Sequence, residues 1–374
     1  MVKKGRIAIL TGGGDCPGIN AVIRAVAKKA MLELGLEVVG ISDGYEGLLH
    51  NRHRMLHFDD VSGIINLGGT ILGTSNKANP YRYPVGKEGS LEFKDLSGTA
   101  IDNFAGLEAE CLVCIGGDGT LNIANRLHKD GLPVIGIPKT IDNDIRGTDI
   151  TFGFDSAVYV ATEGLDRVRT TAQSHHRVMI VEVMGRNAGW IALHAGIASG
   201  SDIILIPEIP YNLDVIINKV DDRNCRGKRF TITVISEGAR PKGGNKVVQR
   251  IVKESTDPIR LGGIGFVLGS QIEAETGIEA RTVVLGHLQR GGVPTPFDRV
   301  LATRLGTRAV DMLVDGRYGR MVGVKGKDLV EVPLEVVARG QRRVPAGDEL
   351  IASARSVGTC LGDVSDIKSE CRQS

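Results

Sequence analysis

The chain has 374 residues, 46 of them Lys or Arg and 44 Asp or Glu, for a formal net charge of +2, and 42% are hydrophobic. This length and apolar fraction suit two ordinary domains with a core each, and the balanced charge leaves no global attraction to nucleic acid or an anionic membrane, so anion binding must come from local clusters. No stretch approaches the roughly 18 uninterrupted apolar residues of a membrane helix, the N-terminus leads into a strand-like run instead of a signal-peptide segment, and six cysteines are too sparse for a disulfide framework, so a cytoplasmic, reducing location is expected.

In chain order, Arg6 to Leu10 reads as a strand buried on both faces, followed by the turn Gly12-Gly13-Gly14-Asp15 and then helical spacing through Val22, Val26 and Ala30. Glu37 to Ile41 is the next strand, and Ile64-Ile65 falls in an expected helical region. The polar segment Asn76 to Ser90, with two prolines and several glycines, reads as a long functional or mobile loop. Leu112 to Ile115 is a strand ending in Gly116-Gly117-Asp118-Gly119-Thr120. The metal-like spacing of Cys111 and Cys114 lies inside that apolar run without a second cysteine pair, so both are expected to be buried strand residues. Val134 to Ile137 is a further strand and runs into Pro138-Lys139-Thr140-Ile141-Asp142-Asn143-Asp144.

Phe154-Asp155-Ser156 marks a helix start, with Val158, Ala161, Leu165 and Val168 on one face, and is expected to open a second domain. Strands follow at Val178 to Val181 and Thr231 to Ile235. Beyond about Gln341 a surface helix and a frayed tail ending Ser-Glu-Cys-Arg-Gln-Ser are expected. Strands alternating with helices imply an α/β fold with a mostly parallel, doubly wound sheet, whose sites lie off the carboxyl ends of the strands, where the glycine-acid patches sit.

Each patch suits part of one chemistry. Gly13 and Gly14 let backbone N–H groups approach a phosphate at a helix start, although tight turns use the same residues. Asp118 between glycines can reach a magnesium ion while the backbone cradles the phosphate it bridges, and with no Gly-Lys-Ser/Thr following, this is no Walker A loop. Asp142 and Asp144, one residue apart on an extended segment beside the Thr140 hydroxyl, are read as sharing one side, with Asp142 as the base for an acceptor hydroxyl. Arg177, Arg186, Arg281 and Arg290 supply guanidinium forks suited to phosphate, though any one alone reads first as a surface ion-pair partner, and His287 equally as a structural histidine.

Together these residues resemble the phosphofructokinase family, specifically the bacterial 6-phosphofructokinases and their pyrophosphate-using relatives. The resemblance runs from about Arg6 to Arg343 and rests on Thr140-Ile-Asp-Asn-Asp144, Glu182-Val-Met-Gly-Arg186 and Thr282-Val-Val-Leu-Gly-His-Leu-Gln-Arg-Gly-Gly292 in that order. It implies two doubly wound, mostly parallel-sheet domains with the active site in the cleft between them: residues 1–153 with about 289–340 for the phosphoryl donor, and 154–288 with about 341–374 for the sugar phosphate. It implies transfer of a phosphoryl group from ATP to the 1-hydroxyl of fructose 6-phosphate with Mg2+, in a homo-oligomer, dimer or tetramer, with no nucleic-acid or membrane partner.

By the same resemblance Asp142 takes the hydroxyl proton, Thr140 contacts the transferring group and Arg186 stabilises the developing charge. Asp118 carries magnesium, and Gly13, Lys77, Gly117, Asp118, Gly119 and Thr120 serve ATP. The sugar phosphate is met by Thr140, Ile141, Asp142, Met184, Gly185, Arg186, Glu237, His287, Leu288, Gln289 and Arg290, with Arg177 and Arg281 reaching its 6-phosphate from an adjacent subunit. Arg24, Lys28, Arg169, Asp202, Arg226, Lys228 and Arg229 match in kind an effector site between subunits. The donor is read from two positions. Gly119 stands where pyrophosphate-restricted relatives usually carry Asp, which favours ATP, while Lys139 resembles the pyrophosphate users. Ser42, Asn76-Lys77 and Ile123 depart from the family's best-known adenine pocket. Pyrophosphate as donor and a non-catalytic sugar-phosphate sensor are the alternatives.

Overall fold

The computed structural model describes residues 5–86, 92–251 and 259–364. These fall into two compact units: residues 5–156 with Arg290–Gln341, and residues 157–251 with Ile259–Gln289 and residues 342–364.

In the first unit the chain forms a seven-stranded sheet, in the order Asp328–Pro333, Arg320–Lys325, Val134–Pro138, Cys111–Gly116, Arg6–Gly12, Glu37–Ile41, His53–Leu56. The inner strands are parallel and the two edges antiparallel. The inner strands are apolar on both faces because helices cover both, as a parallel sheet requires. Ile7, Ile9, Leu10, Leu112, Ile115 and Ile137 are fully buried, each stabilising by about 1.5–3 kcal/mol relative to exposure. The register sets Gly12 beside Gly116 and Gly116 beside Pro138, so the three strands end level and release their glycine-acid segments from one edge. From Arg6–Gly12 the chain fills one side of the sheet and then crosses to Cys111–Gly116 on the other. The turns after these strands therefore straddle the topological switch point, where open α/β sheets place their ligands.

The second unit holds an all-parallel, four-stranded sheet, in the order Ala280–Val284, Val178–Val183, Thr231–Ser236, Ile203–Leu205. Here too the ends are level: Val183 pairs with Ser236 and Val284 with Glu182. Met184 to Arg186, Glu237 and His287 thus all leave from the carboxyl edge.

The helices Ile19–Glu33 and Phe154–His175 stand where the 3.6-residue spacing put them. Other elements differ. Ile64-Ile65 is a loop of turns, not a helix. The expected loop after Asn76 contains a 3-10 turn, Pro80–Arg82, and a strand, Tyr83–Val85, paired with Glu92–Lys94; its residues 87–90 lie outside the described residues. The edge strands were not foreseen, and neither was the hairpin Val248–Ile251 with Ile259–Leu261. Past Gln341 there is a helix, Glu349–Ser356, while the tail from 365, Cys371 included, lies outside the described residues. Cys111 and Cys114 are buried in the central strand, and burial pushes the Cys114 thiol up to about 12. Among the described residues no helix is long and apolar enough to cross a membrane.

Candidate active site

The turn after the first strand is built by glycine. A Cβ on Gly12 or Gly116 would stand 2.7 Å or 2.3 Å from Thr120 atoms, so both positions must be glycine for Thr120 to nest between the strand ends. Thr120 is accordingly buried, and its hydroxyl faces these turns instead of open solvent. Gly13 has φ +79°, a conformation that glycine adopts without penalty. Its N–H donates to Ser75 O (3.1 Å), and its carbonyl accepts from Thr74 Oγ1 (2.6 Å). Two cations grip this turn. The Lys139 ammonium donates to Gly14 O, and Arg290 lies over Gly14, where a Cβ would come within 2.7 Å of its guanidinium, and donates to Asp15 O (3.1 Å). Lys139 is buried, and that burial, with Arg290 nearby adding to it, lowers its pKa.

Asp118 opens the helix Asp118–Lys129, where a carboxylate meets the positive end of the helix dipole. Its Oδ1 accepts from Gly119 N–H (2.7 Å). Gly119 has an ordinary helical φ, and a Cβ there would meet nothing within 4 Å. Its glycine therefore weakens the helix by about 1 kcal/mol relative to Ala without any packing need. Gly117 and Gly119 border Asp118, and Lys77 is exposed on the Asn76 side of the turn.

The segment Thr140 to Asp144 is not extended. Asn143 takes φ +50° and is locked by its Oδ1 accepting Thr151 N–H (3.0 Å), while Thr151 Oγ1 donates to Thr140 O (2.8 Å). This bend, and not strand alternation, disposes the two carboxylates, because the Thr151 and Asn143 bonds outweigh the local tendency to continue the strand. Thr140 Oγ1 accepts Asp142 N–H (3.1 Å) and Ile141 is fully buried, so only its main chain is on offer. Asp144 is buried and shares one partner with Asp118: Gln341 Nε2 donates to Asp144 Oδ2 (2.9 Å) and Asp118 Oδ2 (3.1 Å). Burial first, then the Asp142 and Asp118 charges, push the Asp144 carboxyl well above its usual range. Such a set, oxygen-only and unfavourably crowded without a positive charge, fits a hard divalent cation that takes few protein ligands. Gln341 carries no motif, and nothing in the sequence singled it out.

In the second unit, Met184 N–H donates to Gln289 Oε1 (2.8 Å). Gln289 is fully buried, so its side chain holds the Met184 turn in place and is not presented outward. Gly185 has φ +134° and a Cβ there would meet Ala188 O at 2.6 Å. Arg186, at φ +32°, donates its N–H to Glu237 Oε1 (3.3 Å). Glu182 is buried and caps the helix Ile264–Thr276 through Gly263 and Gly265 N–H groups (2.8 Å each). His287 and Leu288 are exposed, whereas Arg290 belongs to the first unit, at the glycine turn. Arg177 and Arg281 converge on Glu279, the former at 2.5 Å. Glu279 went unnoticed in the sequence, although its place two residues before Arg281 is the spacing that shares a strand face.

The residues matched to an effector site are largely engaged within the chain. Lys28 donates to Ser62 Oγ (3.2 Å) and lies over the Phe58 ring. Arg169 donates to Gly200 O (3.0 Å), Asp202 pairs with Arg223 (2.7 Å) and Arg226 with Asp222 (2.8 Å). Arg24 is half-buried on the helix Ile19–Glu33, and Lys228 and Arg229 are exposed.

A family profile described as phosphofructokinase matches residues 6–313. An ATP-dependent 6-phosphofructokinase 2 of Clostridium perfringens is 50% identical over 360 residues, covering 96% of this chain and 98% of the relative. A pyrophosphate–fructose 6-phosphate 1-phosphotransferase of Amycolatopsis methanolica is 49% identical over 340 residues, covering 91% and 96%. Among solved structures, a Pichia pastoris phosphofructokinase in the T-state superposes with a TM-score of 0.76 at 30% identity, over 96% of this chain and 37% of that one. The chain belongs to the phosphofructokinase family.

Proposed function

From membership of this family, we propose that the chain transfers the γ-phosphoryl group of ATP to the 1-hydroxyl of fructose 6-phosphate, giving fructose 1,6-bisphosphate and ADP. Relatives named for ATP and for pyrophosphate are almost equally identical to it, so overall similarity does not choose the donor. The observation that carries ATP is Gly119. It leaves space and no charge in the first helical turn, at a position where no packing demands glycine. An Asp side chain there would repel the extra phosphate of a nucleotide by several kcal/mol. The pyrophosphate reading draws on Lys139, whose buried ammonium supports the turn through Gly14 O. An ammonium beside a phosphate turn serves either donor, so it does not outweigh Gly119.

In this reading Asp142 accepts the proton of the attacking hydroxyl while Thr140 anchors the Asp142 N–H. Arg186 meets the charge developing on the transferring group. The turns at Gly13 and at Gly117 to Thr120 line the donor phosphates at the start of a helix, with Lys139 and Arg290 supplying positive charge at the turn. Magnesium would be held by Asp118 and Asp144 and would neutralise charge on the donor phosphates. Met184, Gly185, Glu237 and His287 bind the sugar. Arg281 is exposed and Arg177 half-buried, with Glu279 between them and Glu273 also on Arg281, an arrangement that suits a 6-phosphate brought to them by a neighbouring subunit, so the working unit is a homo-oligomer. Free cysteines suit a cytoplasmic setting.

The test pairs turnover with binding. Asp142→Ser is expected to lower kcat by about 10²–10⁴ or more while calorimetry finds fructose 6-phosphate bound within a few-fold of the original affinity. Unchanged kcat would remove Asp142 from its role, and an inactive parent that still binds the sugar phosphate would make the chain a sensor.

A further inference from the structure

Apart from the residues assigned above, the second unit contains a cavity of 230 Å³ lined by Asn187, Glu208, Arg240, Asn245, Lys246 and Arg343 with one proline. Its charges do not balance. Glu208 is the lining's carboxylate, and it is committed to backbone: Oε1 accepts Gly189 N–H (3.0 Å) and Val344 N–H (2.9 Å). Among the described residues the Lys246 ammonium donates to neutral acceptors, Asn187 Oδ1 (2.6 Å) and Arg186 O (3.0 Å). Among the described residues, neither Arg240 nor Arg343 forms an ion pair. Burial first, and after it the charges of Arg343, Arg186 and Arg240, lower the Lys246 pKa against the opposing charge of Glu208.

Cations gathered around a concavity repel one another until an anion enters, and guanidinium forks beside an ammonium and two amides are the donor set for phosphate oxygens. The volume is below the roughly 300 Å³ at which pockets for drug-sized ligands begin, and it suits a phosphate with a short carbon body.

We propose that this cavity binds the phosphate group of a small phosphorylated metabolite, at a site distinct from the sugar-phosphate residues and joined to Arg186 through the Lys246 hydrogen bond to its carbonyl. Lys246 gives the site a means of influencing the reaction: an anion drawing its ammonium inward competes with Arg186 O for that bond.

Inorganic phosphate is the probe. Titrated calorimetrically into the full-length protein free of sugar phosphate, it is expected to bind at millimolar concentrations. Arg240→Ala combined with Arg343→Ala should weaken it by about tenfold or more through loss of two charge-assisted contacts. Both arginines are exposed, so the double variant should keep its fold, checked by its melting temperature, and its KM for fructose 6-phosphate in phosphate-free buffer should be unchanged. Equal phosphate binding by parent and variant overturns the proposal, and so does no binding by the parent. A rise in KM matching the loss of phosphate binding also overturns it, because the arginines would then belong to the sugar site. The titration reads binding and not turnover, so it stands even if the assignment of the reaction fails.

Discussion

The charges assigned to the phosphoryl donor and those assigned to the sugar 6-phosphate are held in opposite ways. In the first, Lys139 is buried against Gly14 O, Arg290 lies on the same turn and Asp144 is buried with Gln341 as its donor. In the second, Arg281 is exposed and Arg177 half-buried, and both pair with Glu279 while Arg281 also pairs with Glu273. Buried charges have already lost their water and can be held in one geometry, so they act on a phosphoryl group without reorganising. Exposed arginines keep their hydration and a competing carboxylate, so they suit a group that must come and go. The donor half is therefore preorganised, while the sugar-phosphate arginines are poised to exchange partners.

The most severe way to break this contrast is to discharge the buried half. Lys139→Met keeps length and apolar bulk but removes the ammonium, and kcat/KM for the donor is expected to fall by about 10²-fold. A loss below about threefold in initial-rate assays would mean that the buried charge is structural only.

A second test reads the cost of burying charge in the same unit. Asp298 is fully buried, accepts Ser156 N–H (2.8 Å) and Ser156 Oγ–H (2.6 Å), and burial raises its pKa to about 6. A carboxyl raised from 3.8 binds its proton more tightly in the folded chain. Its contribution is therefore fully present below about pH 4 and is lost as pH rises through about 6, by at most about 3 kcal/mol. Asp298→Asn keeps an acceptor for Ser156 and removes this dependence. The variant's melting temperature should gain on the parent's between pH 4.5 and pH 7, and parallel curves would show that Asp298 does not titrate there.

The smallest effect is expected on the exposed side. Glu279→Gln removes the carboxylate that the two arginines share, leaving Arg281 its Glu273 contact, and KM for fructose 6-phosphate is expected to fall about two- to fivefold with kcat unchanged, in keeping with the small worth of exposed ion pairs. A rise in KM would instead make Glu279 the residue that aims the arginines.

What could be read in the sequence follows from range. The strands at Arg6, Glu37, Cys111, Val134, Val178 and Thr231 are continuous apolar runs, because helices cover both faces, and the glycine-acid patches stand at their ends. His53–Leu56 and Asp328–Pro333 are half-exposed edges defined by long-range antiparallel pairing, which leaves little local pattern. Within the site, Asp118, Asp142 and Gly119 stood out as candidates because glycines or a second carboxylate flank them. Gln341 was not, since a lone polar residue gains meaning only when the fold sets it between Asp118 and Asp144. The bend at Asn143 was misread as extended, because the bonds that make it come from Thr151, several residues on. Arg290 was grouped with the sugar ligands by its motif, and in the structure one of its guanidinium nitrogens donates to Asp15 O on the glycine turn, a contact no motif announces.

The central claim is that Gly119 makes ATP the donor, and one comparison tests it most directly. Initial rates of fructose 1,6-bisphosphate formation would be measured with matched ATP and pyrophosphate, in parent and Gly119→Asp proteins. Since a Cβ at 119 meets open space, the variant should fold as the parent does. We expect the parent to turn over with ATP and the variant to lose about 10²-fold or more of its ATP kcat/KM. Turnover of the parent with pyrophosphate alone, or a variant that uses ATP as well as the parent does, would contradict the account.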